Sequence, residues 1–567
     1  MTRSASLLAS SLLAGALVSL LGLSGCGGSS SSVASPAPTA SLSASPTMME
    51  KGQPTTLTWQ TTNAASVTIS GIGAVTASGS QQVTPASTTL YTLSAEGPGG
   101  TAQATANVIV TATPIQHVVI IFQENRTPDN LFQDPVLMAR GADIQNYGYD
   151  SSGDKIQLLP IPLAATKTYP FDLGHQHQGF IDMCDFDPTT GTCKMDGANN
   201  DGKSCPTGVQ PPCWPADHDP HFYSVGPQYV QPYFQLAETY TFGDRMFQTN
   251  QGPSFEAHQF IISGTSAPTA PGQQYSDYFA ANLPAGVSNP DGDTGCTAPA
   301  VEYVPLIDPS GQLNEDYNNG FPCYEHPTLT DLLNADGISW KYYTPTAGSI
   351  WTGPNAIQHM CKPNAPTGGT CTGADWVDNV VLNQAQVLTD IQSGQLATVT
   401  WVIPDATESD HAEINDGTGP AWVASVVNAI GASPFWANTA IFITWDDWGG
   451  WYDHVPPPLG YSDGTSSEYV YGFRVPLLVV SPYAKAGYIS HQVHDFGSIL
   501  KYIEEDFQLT AVAPGAPGYA DSSTVTNDMS DCFDYSQTPL KFNSIQANKK
   551  AAYFINDKRP RMGPDDD

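Results

Sequence analysis

Two apolar runs, more than three hundred residues apart, carry no polar alternation. One covers His117 to Gln123 and the other Ala440 to Trp445. Short β-branched runs of this kind predict strands buried on both faces, as in a mostly parallel sheet. Each run breaks into polar residues at its carboxyl end, Glu124 and Asn125 after the first, Asp446 and Asp447 after the second. Ligands of open α/β sheets gather beyond the carboxyl ends of the strands. Four oxygen donors converging there repel one another unless a cation sits between them. Together the two strand ends predict a metal site.

The same kind of pattern predicts a helix from Thr328 to a stop at Gly337, then a strand from Ile338 to Tyr343. Ala421 to Ile430 and Gly497 to Phe507 read as further helices, and Pro476 to Ser481 as a buried strand. Strand and helix alternation from about Ile115 onward predicts an α/β fold, with helices flanking a mostly parallel core. Cys-bearing, Gly- and Pro-rich stretches from Gly141 to Gly226 and from Pro268 to Pro322 read as insertions that roof a site.

Before Ile115 the texture differs. From Pro38 to Ala112 short runs around Leu57, Ser66, Thr89 and Ala106 alternate or run apolar at regular spacing, separated by turn clusters. That predicts a small all-β immunoglobulin-like sandwich, with Trp59 and Tyr91 as its aromatics. No ligand cluster lies in it, so a spacer or weak adhesion role is the default.

The amino terminus shows Arg3, an apolar stretch from Leu7 to Leu21, then Leu23-Ser24-Gly25-Cys26. One positive residue, a short apolar run and small residues describe a secretory signal. The Cys after Leu-Ser-Gly resembles a bacterial lipobox, so residues 1–25 are expected to be removed and Cys26 lipidated for membrane attachment. Residues 26–37 then form a flexible linker, 38–112 the sandwich and 113–560 the main domain. An exported lipoprotein at the periplasm, outer membrane or cell surface is expected. Nine further cysteines suit disulfides there. Short spacings invite Cys184–Cys193, Cys205–Cys213, Cys296–Cys323 and Cys361–Cys371, leaving Cys532 free. No CxxC pair is present, which ranks a zinc ribbon low.

Charge narrows the partners. Acidic residues outnumber basic ones 54 to 20 among 567, a formal net charge of −34. Nucleic-acid binding, which draws its affinity from Lys and Arg, is not expected. The oligomeric state is left open.

Glu124-Asn125-Arg126-Thr127, Gly243-Asp244-Arg245-Met246-Phe247 and Asp446-Asp447 through Asp453-His454 stand in the order seen in a phosphoesterase family. That family holds phosphatidylcholine-type phospholipases C and secreted acid phosphatases, and its fold resembles the alkaline phosphatase and sulfatase core. The resemblance covers roughly residues 115 to 510. It implies that Glu124, Asn125, Asp446 and Asp447 bind a divalent metal ion, whose identity an oxygen set leaves unknown. It places the nucleophile about ten residues after Asp244-Arg245, on Ser254, with Thr249 as a substitute. His175 and His411 match family Gly-His and Asp-His segments, which implies phosphate contact or acid catalysis. Phe255 to His258 departs from the family's commoner Pro-Asn-Arg continuation, and His494 is shifted by one residue. Asp453 and His454 are expected to support the site from behind, and Arg126 either clamps phosphate or pairs with an acid. The implied activity is hydrolysis of phosphate esters through a phosphoserine, phospholipase C-like. The alternatives are an acid phosphatase acting on monoesters and an inactive surface-anchored adhesion protein.

Overall fold

The computed structural model describes residues 35–165, 169–187, 189–190, 192–205, 208–215, 217–281, 294–308, 313–314, 320–458 and 471–563. The expected signal segment and Cys26 lie outside them. Eight strands form the central sheet: β1 His117–Gln123, β2 Thr241–Gly243, β3 Trp340–Thr344, β4 Val380–Leu382, β5 Val399–Val402, β6 Thr439–Trp445, β7 Leu477–Val480 and β8 Ile489–Ser490. Their order is β4-β3-β5-β1-β6-β7-β2-β8. All run in one direction except β7, which is antiparallel to both β6 and β2. The predicted α/β sheet is therefore present and mostly parallel.

Continuous apolarity explains the centre. β6 is buried at all seven positions and β1 at six of seven, as helices on both faces require. The two strands are direct neighbours, paired from Thr439–His117 to Trp445–Gln123. Their carboxyl ends thus emerge side by side. Helices α1 (Ser254–Ser263), α2 (Gly419–Gly431) and α3 (Phe496–Asp506) pack on the sheet, and their apolar faces join one core with it. Asp495 caps α3 through a reciprocal hydrogen-bond pair with Ser498. No helix among the described residues is long and apolar enough to cross a membrane.

Residues 39–111 form two facing sheets of three and five strands. Leu57 and Trp59 of one sheet pack against Ile69, Tyr91, Leu93 and Val108 of the other, so the strand-rich sandwich is present. The Trp59 indole is satisfied by the Thr76 carbonyl at 2.9 Å. This body is fastened to α3. Thr113 donates from both its backbone N–H and its hydroxyl to Asp506 Oδ1, at 3.0 and 2.7 Å. Ala112 N–H donates to the Asp506 carbonyl at 2.6 Å.

All four anticipated disulfides are formed, and Cys532 is free and buried. Cys184–Cys193 lies in a small cluster with Phe180, Trp448 and Phe473, and Cys213 packs near Trp451 and Phe171. The first insertion therefore folds over the β6 strand end, as a roof should.

Candidate metal and nucleophile site

β1 ends at Gln123, and Asn125 takes a left-handed backbone with φ 60°. That conformation suits Asn better than most residues, and it breaks the strand so that Glu124 and Asn125 turn into the crevice. Asp446 N–H donates to the Gln123 carbonyl at 2.9 Å, continuing the ladder by one bond. Asn125 N–H returns a bond to Asp446 Oδ1 at 2.9 Å. Gly449 and Gly450 then turn the chain with φ of 60° and 69°. A Cβ on Gly449 would stand 2.5 Å from Asn125 Cβ, and one on Gly450 2.3 Å from Leu173 Cβ. Only glycine lets this turn lie against both the Glu124–Asn125 segment and the His175 segment.

β2 runs with β1 and β6, so the chain after it leaves at the same end. There Pro253 precedes α1 and Ser254 is its first helical residue. Ser254 does not cap the helix; its hydroxyl donates to Glu124 Oε2 at 3.3 Å. The Thr249 hydroxyl is buried and makes no hydrogen bond to any described residue.

His175 arrives from the first insertion. Its Nδ1 lies 2.8 Å from the Leu173 carbonyl and so carries a hydrogen, while Nε2 lies 3.2 Å from Asn125 Nδ2. The amide nitrogen is therefore turned to His175, and Asn125 Oδ1 faces elsewhere. His411 follows β5, its ring 5.8 Å from that of His175 at a 74° angle. Asp410 anchors that turn by accepting from Tyr233 Oη at 2.8 Å and Trp445 Nε1 at 3.0 Å. Burial pushes Asp410 up to about 6 against the pull of Arg126.

All seven sequence-predicted site residues thus meet in one place, each at most 2% exposed. Burial, reinforced by the Asp446 and Asp447 charges, pushes Glu124 well above the usual carboxylate range. Burial and Asp446 do the same to Asp447, opposed by His175 and His411. Such mutual repulsion is what a divalent ion relieves. Asn125 Oδ1, Asp446 Oδ2 and Asp447 Oδ2 are buried without a hydrogen-bond partner among the described residues. Each such orphan costs roughly 1–3 kcal/mol, so the donor set fits a hard or borderline divalent cation.

His258 was not anticipated from the sequence. It lies one turn beyond Ser254 on α1, with Nε2 3.2 Å from Glu124 Oε1, and burial lowers its imidazole to about 4. Helical phase would have flagged it, because residues four apart share a face. The remaining candidates lie behind the cluster. Arg126 gives Nε and Nη2 to the Asp410 carbonyl at 2.8 and 2.5 Å and sits over the Trp451 ring. Asp453 binds Arg474 at 2.8 Å, and His454 binds Asp129 at 2.6 Å. His494 pairs with Asp531 at 3.1 Å.

The model of the phosphoesterase family matches residues 115–510, more than two thirds of the chain. This chain belongs to the phosphoesterase family. Among curated proteins it is similar to a non-hemolytic phospholipase C of Burkholderia pseudomallei, 28% identical over 40% of this chain and 39% of that one. It is also similar to a hemolytic phospholipase C of Pseudomonas aeruginosa, 22% identical over 79% of this chain and 61% of that one. The chain thus spans less than two thirds of either relative. Among solved structures, an alkaline phosphatase superfamily protein from Vibrio parahaemolyticus matches 54% of this chain and 64% of its own. Identity there is 10% and the TM-score 0.28, too low to bear on the chemistry.

Proposed function

We propose that this chain is an exported, metal-dependent phosphoesterase of the phospholipase C type, acting through a phosphoserine on Ser254. The observation that carries this is the 3.3 Å contact of Ser254 Oγ with Glu124 Oε2, inside the cluster that Asp446 and Asp447 complete. The phospholipase C relatives support the substrate class. Glu124, Asn125, Asp446 and Asp447 would hold the metal, which when bound offsets phosphoryl charge and eases ionisation of a hydroxyl.

Ser254 sits at the tip of a rigid helix, so its Oγ is held for in-line attack on phosphorus. The P–O bond to the leaving alcohol breaks as the Ser254–phosphorus bond forms, the Ser254 hydroxyl proton passes to its acceptor Glu124 Oε2, and His411 supplies the alcohol's proton. His175 is spoken for at Nδ1 by Leu173, and acts on the phosphoryl group and on Asn125. Water then cleaves the phosphoserine. The residues before the catalytic unit are read as a signal segment (1–25), a linker from a lipidated Cys26, and an immunoglobulin-like spacer (38–112) ahead of residues 113–560.

The test is metal analysis of the purified protein with a screen of chromogenic esters. Hydrolysis of a p-nitrophenyl phosphocholine diester supports the reading. Turnover of p-nitrophenyl phosphate alone would replace it with a monoesterase, and no turnover of either with metal bound would leave an inactive binding protein.

A further inference from the structure

At the floor of the site His258 Nε2 faces Glu124 Oε1 at 3.2 Å, a pairing that either a shared proton or a cation can satisfy. His258 Nδ1 lies 3.4 Å from Tyr342 Oη, whose own hydroxyl hydrogen goes to the Trp351 carbonyl at 2.8 Å. A hydroxyl that has given its only hydrogen away accepts from the imidazole. Nδ1 therefore carries the ring hydrogen, and in the neutral imidazole Nε2 turns its lone pair on Glu124 Oε1, 3.2 Å away. Phe122 meets this ring edge-on at 4.8 Å and Trp351 stacks on it at 6.4 Å, so the ring cannot swing aside. His258, Glu124 and Asp446, all buried, each place a donor atom within 4.8 Å of the other two.

We propose that His258 Nε2 is a nitrogen ligand of the site's metal ion, shared with Glu124 and Asp446. This rests on the metal-site reading above and changes its consequence. A purely oxygen set suits Mg²⁺ or Ca²⁺, whereas an added imidazole favours first-row ions such as Zn²⁺, Fe²⁺ or Co²⁺. Tyr342, by fixing the tautomer, is a positioning residue for the metal.

The experiment uses the full chain, stripped by a chelator and reloaded. Pulsed EPR of the Mn²⁺ form reads nitrogen coupling, and competition titration reads Zn²⁺, Co²⁺ and Mg²⁺ affinity. The wild type is expected to show imidazole nitrogen coupling and to bind Zn²⁺ and Co²⁺ more tightly than Mg²⁺. In His258→Gln that coupling should fall, with Zn²⁺ and Co²⁺ affinity weakened about 10- to 100-fold and Mg²⁺ affinity little changed. Wild-type protein without nitrogen coupling overturns the proposal without any variant, and so does a His258→Gln protein that keeps both coupling and Zn²⁺ affinity. That second result would leave His258 as a hydrogen-bond partner of Glu124 and nothing more. Asp446→Asn separates the two levels: loss of every ion there with His258→Gln unaffected sinks only the nitrogen ligand. Unchanged binding in Asp446→Asn sinks the metal site itself.

Discussion

Ser254 Oγ donates to Glu124 Oε2 at 3.3 Å, joining the first residue of α1 to the residue just past β1. The two are 130 positions apart in the chain. The contact gives the hydroxyl a fixed direction at the carboxyl end of the sheet.

Removing that hydroxyl should end turnover and leave the fold intact. In Ser254→Ala, kcat is expected to fall by roughly three orders of magnitude or more, with a melting temperature within a few degrees of wild type. Steady-state kinetics beside a thermal melt checks both. Activity near the wild-type level would remove Ser254 as nucleophile.

Chelation should silence the proposed hydrolysis reversibly. Dialysis against a strong chelator is expected to abolish hydrolysis and lower the melting temperature, because Glu124, Asp446 and Asp447 then face one another without a cation. Restoring a divalent ion should recover both readouts. Full activity in metal-free protein, verified by elemental analysis, would contradict the site as described.

Gly449→Ala tests the turn. A Cβ there meets Asn125 Cβ at 2.5 Å, and alanine must also adopt a φ of 60°. The left-handed backbone alone costs about 1–2 kcal/mol. The clash should push Asn125 away from His175, so kcat/KM is expected to fall along with stability in a urea titration. A variant as stable and active as wild type would show that the turn does not position Asn125.

Stability should decline as pH rises from about 4 to about 7. Burial pushes Asp506 up to about 7, and Asp495 and Glu408 also up to about 7. Their unfolded counterparts release a proton near pH 4. Between those values the folded chain holds more protons, so unfolding becomes easier with rising pH. His177, His258 and His326, lowered to about 4 by burial, pull the other way up to about pH 6.5, but the raised acids, joined by Asp410 and Glu504, outnumber them. Asp219 is lowered to about 2 and contributes only below that window. Thermal melts from pH 4.5 to 8 should slope downward, and Asp506→Asn should flatten the slope. A steeper or unchanged slope in the variant would refute the assignment to Asp506.

Much of the site was legible because its candidate ligands stand at the ends of uninterrupted apolar runs. The run from Val118 to Phe122 announces a buried strand, and where it stops is where Glu124 begins. Short spacing made the four disulfides equally plain, since nearby cysteines close small loops. The direction of β7 was hidden: a run buried on both faces, such as Leu477–Val480, has no period that distinguishes parallel from antiparallel pairing. His258 was hidden for another reason. Its helical phase with Ser254 was readable, but its meaning depends on the hydroxyl of Tyr342, 84 residues away. Arg126 kept two readings until Asp410 stood beside it, and nothing in the local sequence brings those two together.

Helix α3 touches both ends of the molecule's business. At its start the Phe496 ring meets Phe122 edge-on at 5.1 Å, two residues before Glu124. At its end Asp506 holds the strand that leaves the sandwich. Eleven residues make a rod about 16 Å long. One stiff helix thus joins the strand leaving the sandwich to the strand that ends at Glu124, so the outer module is braced against the candidate ligand cluster rather than hung on a slack tether.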